Sequence, residues 1–390
     1  MKIGNKYYRT IWENKEYGDI DIIDQTLLPH QFKTITLSSV NQTAKIITDM
    51  NVRGAPLIGA TGAYGMCLAV RENSSNKFIE ESYEILLATR PTAINLKWGL
   101  DKIKNEILAV NTDQRLKKSY EIARKICDDD VEICEKIGNY GFEIVKKLYE
   151  KNKRQINILT HCNAGWLATI DWGTATAPIY KSQKNDIPVH VWVDETRPRN
   201  QGANITSYEL KNQNINHTVI VDNAGGHLMQ SGYVDLCIVG TDRTTYTGDV
   251  TNKIGTYLKA LAAKDNNIPF YVALPSTTID WNIRDGLKEV KIEERDSNEV
   301  NYIQGLDDEN KVRSVRLTPK GVSASNYAFD TTPRKLITGL ITEKGVLNPN
   351  EESIKKAKIA MESPSVFQAR PMCQIIPNKV LPEKAKGKDI

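Results

Sequence analysis

The sequence predicts an α/β protein with a parallel β-sheet in its second half and a smaller N-terminal region of mixed helices and strands. In the second half, short apolar and β-branched runs alternate with helix-like stretches, which is the pattern of a parallel sheet covered on both faces. The apolar runs span residues 156–159, 188–193, 218–221, 236–239 and 269–274. The helix-like stretches span residues 167–180, 207–213, 225–231 and 252–265.

The first half lacks this alternation. A strand-like segment covers residues 17–23, and two helices are expected to begin near Pro56 and Pro91, because proline fits the first turn of a helix. A long charged helix over residues 113–149 is expected to bridge the two halves. We therefore expect an N-terminal mixed domain with the bridging helix over residues 1–145, a parallel-sheet domain over 146–350, and a C-terminal extension with a disordered tail over 351–390.

Composition narrows the class of protein. The chain has 390 residues, of which 40% are apolar and 26% charged, with a net charge of +4, so it is expected to be a folded protein with more than one core. This small charge argues against a nucleic-acid or membrane surface but allows a groove for a small acidic ligand. The N-terminus has no signal-like apolar stretch, and six scattered cysteines form no CxxC pair. We expect a cytoplasmic location, with no nucleic-acid or membrane partner.

Polar and ionisable side chains follow one predicted strand after another. In an open parallel sheet, ligands bind beyond the carboxyl ends of the strands. The residues delivered to that edge include Thr160, His161, Cys162, Asn163, Asp194, Glu195, Asp222, Asn223, Asp242 and Arg243. The sequence therefore predicts a functional site at this edge.

Cys162 and Asp242 are the candidate reactive groups. Cys162 follows the first strand near an expected helix start, where the helix N-terminus would favour a thiolate, although a free cysteine is more often a small buried apolar residue. We interpret Cys162 as functional because of its strand-end position. Asp242 follows an apolar strand and is suited to act as an acid or base, but a helix cap or a pair with Arg243 fits its position equally well.

The other candidates have mainly structural interpretations. Asp194 and Asp222 are expected to cap the segment that follows each of them or to pair with Arg197 or Arg199. Four further cysteines lie within helix or strand patterns and are expected in the core, namely Cys67, Cys127, Cys134 and Cys237.

Cationic side chains lie at or just before three predicted helix starts. Arg53 precedes the helix at Pro56, Arg90 precedes Pro91, and Lys253 lies in the first turn of the helix predicted from residue 252. A helix N-terminus offers free N–H groups, and a neighbouring guanidinium adds two-pronged recognition of an oxyanion. Each cation alone is as readily a surface residue that neutralises a carboxylate. Three similar arrangements together favour an anion site.

Several cofactor motifs are missing. The sequence has no GxxxxGK[ST] loop, no GxSxG elbow, and no HxxxH or HxH pair. Gly59, Gly62 and Gly65 fall inside a helix pattern, where they predict close helix packing rather than a dinucleotide fingerprint. His161 and Cys162 are neighbours in an extended segment, so no dyad is built from them. We expect no cofactor and no metal.

A set of motifs, in order along the chain, resembles the methylthioribose-1-phosphate isomerase family. The motifs are Arg53-Gly54-Ala55-Pro56, Thr89-Arg90-Pro91-Thr92-Ala93-Ile94-Asn95-Leu96, Thr160-His161-Cys162-Asn163, the segment Asp194 to Gly202, Gly240-Thr241-Asp242-Arg243, the segment Gly248 to Thr256, Ala328-Phe329-Asp330 with Thr332-Pro333, and Ile341-Thr342-Glu343-Lys344-Gly345. The resemblance extends to about Val346. The wider family also holds ribose-1,5-bisphosphate isomerases and non-enzymatic regulatory subunits of a translation-initiation exchange factor, and the presence of both Cys162 and Asp242 favours the isomerase branch.

The resemblance implies a Rossmann-like C-terminal domain, a smaller N-terminal mixed domain and a homodimer. It implies an aldose–ketose isomerase that converts 5-methylthioribose 1-phosphate to 5-methylthioribulose 1-phosphate in methionine salvage, with Cys162 and Asp242 as the catalytic pair. Substrate and phosphate contacts are implied for Arg53, Gly54, Ala55, Arg90, Gln201, Asn252 and Lys253. The alternatives are an isomerase of 5-deoxyribose 1-phosphate or ribose 1,5-bisphosphate, and a non-catalytic regulatory subunit on the same fold.

The reaction needs an acid, because the phosphate on C1 blocks the free aldehyde that ordinary sugar isomerases use. Our hypothesis is that Asp242 protonates the ring oxygen while Cys162 handles the hydrogen transfer between C1 and C2 in a pocket shielded from water. The sequence fits the exchanged roles equally well.

Overall fold

A computed structural model describes residues 1–90 and 93–362. The strands of the first half are β1 Lys2–Ile3, β2 Lys6–Tyr7, β3 Ile11–Glu13, β4 Ile20–Ile23 and β5 Thr34–Leu37. Its helices are α1 Val40–Thr48, α2 Ala55–Glu72, α3 Asn76–Thr89, α4 Ile94–Leu108 and α5 Arg115–Asn152. Strands β3, β4 and β5 form an antiparallel sheet, so the mixed character predicted for this half is confirmed.

The second half is built mainly from strands and short helices. Its strands are β6 Ile156–Thr160, β7 Val189–Asp194, β8 His217–Ile220, β9 Leu236–Val239, β10 Arg243–Thr245, β11 Val250–Lys253, β12 Phe270–Ala273, β13 Ile279–Asp280, β14 Tyr302–Leu306, β15 Val312–Arg316, β16 Phe329–Thr332, β17 Gly339–Thr342 and β18 Gly345–Leu347. Its helices are α6 Ala177–Lys184, α7 Ser207–Asn212, α8 Ala224–Gln230, α9 Thr256–Asp265, α10 Gly286–Glu289, α11 Asn298–Asn301 and α12 Glu351–Glu362.

A seven-stranded sheet in the order β18-β17-β12-β9-β6-β7-β8 organises the second half. All neighbouring pairs are parallel except β17–β18. Numbered along the chain, the six parallel strands lie in the order 3-2-1-4-5-6, which is the Rossmann order. The predicted parallel sheet and the Rossmann-like fold are therefore confirmed. The chain order reverses between β6 and β9, which creates a crevice at the carboxyl ends of these two strands.

Two smaller sheets lie outside the prediction. A four-stranded sheet has the order β13-β10-β11-β16, and β14 pairs with β15 as a hairpin. Their strands are only two to five residues long, so they carry too few alternating positions for a periodic signal.

Two predicted helices are wrong over their N-terminal parts. Residues 250–253 form strand β11, and α9 begins only at Thr256, because Gly255 has a φ of +101° that interrupts a right-handed helix. The stretch predicted from residue 167 contains a short 3₁₀ turn at Trp166–Ala168 and Gly173 with a φ of +78°, and α6 begins at Ala177. The helix predicted from Pro91 begins as α4 at Ile94, and Pro91 itself lies outside the described residues.

The predicted long helix is confirmed as α5, which has 38 residues and packs against α2 on one side and α6 on the other. The proposed division into residues 1–145, 146–350 and 351–390 stays a prediction, and its first boundary falls within α5. The extension begins with α12, whereas the predicted solvated tail at residues 383–390 lies outside the described residues, as does Cys373. In the part of the chain that the structure describes, no helix combines the length and apolarity needed to cross a bilayer.

The glycine spacing in α2 serves helix packing, as predicted. Gly59, Gly62 and Gly65 are all buried. A Cβ on Gly59 would lie 2.7 Å from the carbonyl oxygen of Asn95, and one on Gly99 of α4 would lie 2.5 Å from the carbonyl oxygen of Gly59. The backbones of α2 and α4 therefore approach more closely than two side chains allow.

We expect Gly99→Ala to lower the free energy of unfolding by about 1–3 kcal/mol, because the added methyl group overpacks a backbone contact. The matched control is Gly226→Ala in α8, where the new Cβ would meet only Ala262 Cβ at 3.8 Å. Because alanine favours a helix more than glycine does, the control should be neutral or stabilising. Urea denaturation measures both, and equal stability of the two variants would contradict the packing role.

Candidate active site

Cys162 and Asp242 meet at the crevice where the strand order reverses. Cys162 lies two residues beyond the end of β6, and Asp242 lies three residues beyond the end of β9, the neighbouring strand. Both line one cavity that encloses about 620 Å³ of atom-free space, its mouth included. The fold thus joins two groups that lie far apart in the sequence.

The same cavity collects every site residue predicted from the sequence. All nine predicted residues are among those that line it, namely Arg53, Gly54, Ala55, Arg90, Cys162, Gln201, Asp242, Asn252 and Lys253. The structure therefore places them together, while their individual roles stay predictions.

The N-terminus of α2 forms one wall of the cavity. Gly54 has a φ of +92°, a backbone conformation that favours glycine. A Cβ at this position would also lie 2.4 Å from the carbonyl oxygen of Ala168, so no larger residue fits. No side chain of Gly54 can cap the helix, and Pro56 has no N–H. The free amides of the first turn therefore remain available to an anion.

Arg53 is held by a two-pronged contact across the two halves of the chain. Its Nη1 donates to Asn163 Oδ1 at 2.5 Å, and its Nη2 donates to the carbonyl oxygen of Asn163 at 2.6 Å. The residue is only 8% exposed. This contact fixes the guanidinium directly beside Cys162, the residue before Asn163.

Lys253 and Arg90 add two more cations to the cavity. Burial lowers the pKa of Lys253, and the charges of Arg90 and Arg53 lower it further, whereas Cys162 and Asp242 raise it. Burial also lowers the pKa of Arg90, with Glu293 and Asp242 opposing the shift. Arg90 Nη2 lies 3.7 Å from the carboxylate of Glu293. Because like charges in a low-dielectric cavity repel one another, a bound anion would stabilise these three cations.

Lys253 reaches this cavity from a strand, which corrects the prediction that it starts a helix. Strand β11 is paired on both sides, with β10 and with β16. The Lys253 ammonium lies 4.8 Å from the centre of the Phe329 ring, which also lines the cavity. Asn252 donates from Nδ2 to Thr256 Oγ1 at 3.0 Å, which ties the strand to the start of α9.

The surroundings of Cys162 favour the protonated thiol over the thiolate. Burial raises its pKa, although the charges of Arg53 and Lys253 lower it, and Asp242 raises it further. The expected helix N-terminus is not there, because Cys162 leads into a loop and the next full helix begins only at Ala177. The prediction of a lowered pKa is therefore wrong.

Cys162 adopts the left-handed conformation, with a φ of 65°. Its N–H donates to Thr196 Oγ1 at 2.8 Å, and its carbonyl oxygen accepts from Thr206 Oγ1 at 2.7 Å. Two threonines thus clamp an unfavourable backbone conformation and fix where the thiol points. Neither threonine was predicted, because a hydroxyl that supports a backbone has no sequence signature.

The Asp242 carboxylate belongs to the cationic cavity. Its charge raises the pKa of both Lys253 and Arg90. The predicted alternative of a pair with Arg243 is replaced by a contact between Arg243 Nη1 and Asp280 Oδ2 at 3.5 Å. Since Asp242 is only partly buried, it is accessible to a molecule in the cavity.

Asp222 has a structural role close to the site. Its carboxylate accepts the backbone N–H of Thr196 at 2.7 Å and that of Arg197 at 2.8 Å. Arg199 pairs instead with Glu299 at 2.8 Å. Asp222 therefore caps the earlier turn at Thr196 and Arg197 rather than the segment that follows it, and both the predicted cap and the arginine pairing are wrong.

His161, Asp194 and Asp222 offer ligand atoms within 4.8 Å of one another, a spacing that could suit a metal ion. His161 Nδ1 lies 2.8 Å from Asp194 Oδ2, and its Nε2 donates to the carbonyl oxygen of Ile254 at 2.8 Å. Lys259 Nζ lies 3.2 Å from the same carboxylate oxygen of Asp194. A lysine therefore already supplies positive charge to this group, and the pairing of Asp194 with an arginine is wrong.

Gln201 lies where the cavity that contains Cys162 and Asp242 meets a larger one. The second cavity encloses about 1070 Å³ of atom-free space and shares Met50, Arg53 and Gln201 with the first. Gln201 is 3% exposed, and its Oε1 has no hydrogen-bond partner among the described residues. Because a buried unpaired amide oxygen costs about 1–3 kcal/mol, it marks a position for a ligand donor.

Comparisons with known proteins agree on one family. The model of the initiation factor 2 subunit family matches residues 51–349. A curated relative from Paramagnetospirillum magneticum, named methylthioribose-1-phosphate isomerase, is 57% identical over 355 residues, which cover 91% of this chain and 98% of the relative.

Solved structures extend the comparison. A 5-methylthioribose 1-phosphate isomerase from Pyrococcus horikoshii is 38% identical with a TM-score of 0.78, covering 91% of this chain and 97% of that one. The delta subunit of translation initiation factor eIF-2B from A. fulgidus is 36% identical with a TM-score of 0.74, covering 90% of this chain and 100% of that one.

We expect Lys253→Met to weaken the binding of inorganic phosphate roughly tenfold or more, because one of the three cations facing the anion is lost. The unliganded variant should melt at a higher temperature than the parent, since a buried charge that repels Arg53 and Arg90 is removed. Calorimetric titration and thermal denaturation measure the two effects. Lys136→Met on the exposed side of α5 is the control, and an unchanged phosphate affinity in Lys253→Met would contradict the anion site.

Proposed function

The chain belongs to the initiation factor 2 subunit family, and from this membership and the geometry of the cavity we infer that it is an aldose–ketose isomerase. It converts 5-methylthioribose 1-phosphate to 5-methylthioribulose 1-phosphate, a step of methionine salvage. The observation that carries the site assignment is the meeting of Cys162 and Asp242 with three cations at the crevice of the sheet.

The phosphate on C1 is the anion that the cationic cavity binds in this proposal. Arg53, Lys253 and Arg90 supply positive charge, and the free amides at Gly54 and Ala55 supply hydrogen-bond donors. Binding the phosphate between them relieves the repulsion that lowers the pKa of Lys253. The phosphate therefore anchors C1 beside the catalytic pair.

The sugar hydroxyls and the 5-substituent extend from C1 toward the second cavity. Gln201 Oε1, which has no partner among the described residues, accepts a hydrogen bond from a sugar hydroxyl. The apolar side chains of Leu28, Met50 and Ile205 line the second cavity and suit a methylthio group. In this arrangement the first cavity binds the phosphate, and the larger cavity selects the pentose 1-phosphate by its 5-substituent.

Ring opening requires a proton on the ring oxygen as its bond to C1 breaks. The Cys162 thiol is protonated near neutral pH because burial raises its pKa, which supports Cys162 as the proton donor and exchanges the roles in our sequence-based hypothesis. The hydrogen on C2 then moves with its electron pair, as a hydride, to the electron-deficient C1, and Asp242 accepts the proton of the C2 hydroxyl to leave the ketone. A proton passed from Asp242 to Cys162 restores both groups.

We propose that the enzyme is a homodimer. An apolar surface, defined by Val219, Val221, Tyr233, Tyr257, Leu258 and Leu261, is exposed on β8, after α8 and on α9. These elements adjoin, because α8 packs against α9 and Lys259 of α9 donates to the carbonyl oxygen of Asp222 after β8. A second copy that covers this surface would remove it from water.

A cytoplasmic location belongs to the same proposal. The five cysteines among the described residues are all free, as in a reducing compartment. A phosphorylated sugar is also a substrate of metabolism inside the cell.

The turnover assay compares 5-methylthioribose 1-phosphate with 5-deoxyribose 1-phosphate and ribose 1,5-bisphosphate, following ketose formation by NMR. We expect the methylthio substrate to have the highest kcat/KM. Cys162→Ser and Asp242→Asn should each lower kcat by about 100-fold or more with little change in KM, because each removes a proton-transfer group.

Cys237→Ser is the control for this assay, since Cys237 is also buried, on β9, but does not line the cavity. It should keep kcat within about threefold of the parent. Near-parental kcat in either Cys162→Ser or Asp242→Asn would refute the catalytic pair, and conversion of none of the three sugars would refute the isomerase.

Leu258→Glu is expected to shift the protein toward a monomer in light scattering, because Leu258 is 62% exposed within the apolar surface. Ile85→Glu on α3, where Ile85 is 41% exposed, should leave the oligomeric state unchanged. A monomeric parent protein at micromolar concentration would rule out the proposed dimer.

A further inference from the structure

Glu209 on α7 is a fully buried carboxylate close to the catalytic loop. Its Oε1 accepts from Asn163 Nδ2 at 3.0 Å and from the Leu167 N–H at 2.9 Å, and its Oε2 accepts from Tyr180 OH at 2.9 Å. It does not line the catalytic cavity. Three donors therefore converge on a group that neither touches the substrate site nor reaches water.

Glu209 determines which way the Asn163 amide faces. An ionised carboxylate only accepts hydrogen bonds, and a guanidinium only donates them. Asn163 lies between the two, so its Nδ2 must face Glu209 and its Oδ1 must face Arg53. A reversed amide would place donor against donor and acceptor against acceptor on both sides.

The same amide also contacts the support of the catalytic cysteine. Asn163 Nδ2 lies 3.1 Å from Thr206 Oγ1, and that hydroxyl donates to the carbonyl oxygen of Cys162. A single chain of hydrogen bonds thus runs from Glu209 through Asn163 to Arg53 and, by Thr206, to the Cys162 backbone.

Space around Glu209 leaves it little freedom to move. A Cβ on Gly165 would lie 1.7 Å from Glu209 Oε2, so the carboxylate packs directly on the loop backbone. The loop from Cys162 to Leu167 is therefore folded around this side chain.

We propose that Glu209 is a positioning residue of the isomerase, which fixes Asn163 and through it aims Arg53 at the phosphate and holds Cys162 in its left-handed conformation. The role rests on the proposed function, because turnover is one of its readouts. Glu209 acts only as the carboxylate, since a protonated oxygen would become a donor facing other donors.

A pH dependence follows from this role. Burial raises the pKa of Glu209 to about 7, while its hydrogen bonds from Asn163, Leu167 and Tyr180 and the charge of Arg53 oppose the shift. The carboxylate form is therefore lost as the pH falls through about 7. We expect kcat/KM of the parent enzyme to fall as the pH drops below about 7, and we expect this fall to be absent in Glu209→Gln.

The test measures kcat, KM and the affinity for inorganic phosphate in Glu209→Gln. Glutamine offers one acceptor oxygen to three donors and turns an N–H toward one of them. We expect kcat/KM to fall about 10- to 100-fold at pH 8 and phosphate affinity to fall several-fold, because Arg53 loses its alignment. Tyr180→Phe removes one donor to the same carboxylate without touching Asn163 and should stay within about threefold of the parent.

A compensating pair separates positioning from mere structural support. Combining Glu209→Gln with Asn163→Asp moves the negative charge from position 209 to position 163, which contacts Arg53 directly. The introduced glutamine amide can then donate to the introduced carboxylate. In this double variant, kcat/KM should recover by about tenfold or more from the single Glu209→Gln variant.

Parental kinetics and phosphate affinity in Glu209→Gln, or equal losses in Tyr180→Phe with no recovery in the double variant, would overturn the proposal. If the parent converts no sugar phosphate, the proposed function fails, and the phosphate affinities of these variants still decide the role of Glu209.

Discussion

Burying three cations around one small cavity is the constraint on which the rest of the site depends. Arg53, Arg90 and Lys253 are each held largely away from water, and the charge of Arg53 lowers the pKa of both other groups. Such an arrangement is unfavourable without a bound anion, so surrounding groups must compensate for it. The compensation comes from different places: Glu293 lies beside Arg90, Asn163 binds Arg53, and Asp242 offsets the charges of Lys253 and Arg90.

The two halves of the chain build this site jointly. The sheet supplies Cys162 and Asp242, and the N-terminal half supplies Arg53 and the first turn of α2. Contact between them is close, because Gly54 meets the backbone of Ala168 where no side chain fits. A change in how α2 meets the loop at Ala168 would therefore move Arg53 and the first turn of α2 relative to Cys162.

Burial also sets the protonation of the reactive groups. Two neighbouring cations lower the pKa of the Cys162 thiol, but desolvation outweighs those charges and raises it, which favours the protonated form. A buried protonated thiol is a poor nucleophile and a suitable proton donor, which matches a reaction that begins with ring opening. The fold is shared with an initiation-factor subunit, so these local features, rather than the Rossmann-like sheet, define the chemistry.

The sequence by itself determined the parallel sheet and the long helix α5, because apolar periodicity is a local feature of a chain. Strand ends and helix starts singled out Cys162, Asp242 and the three cations of the cavity, whereas Gly54, Ala55, Gln201 and Asn252 came only from the resemblance to a family. The sequence pattern misjudged Lys253 and residues 167–176, since Gly255 and Gly173 take left-handed conformations that composition does not reveal. Only the tertiary structure decided the raised pKa of Cys162 and the burial of Glu209. Both depend on how completely distant segments exclude water, and desolvation is a property of the packed molecule rather than of any stretch of sequence.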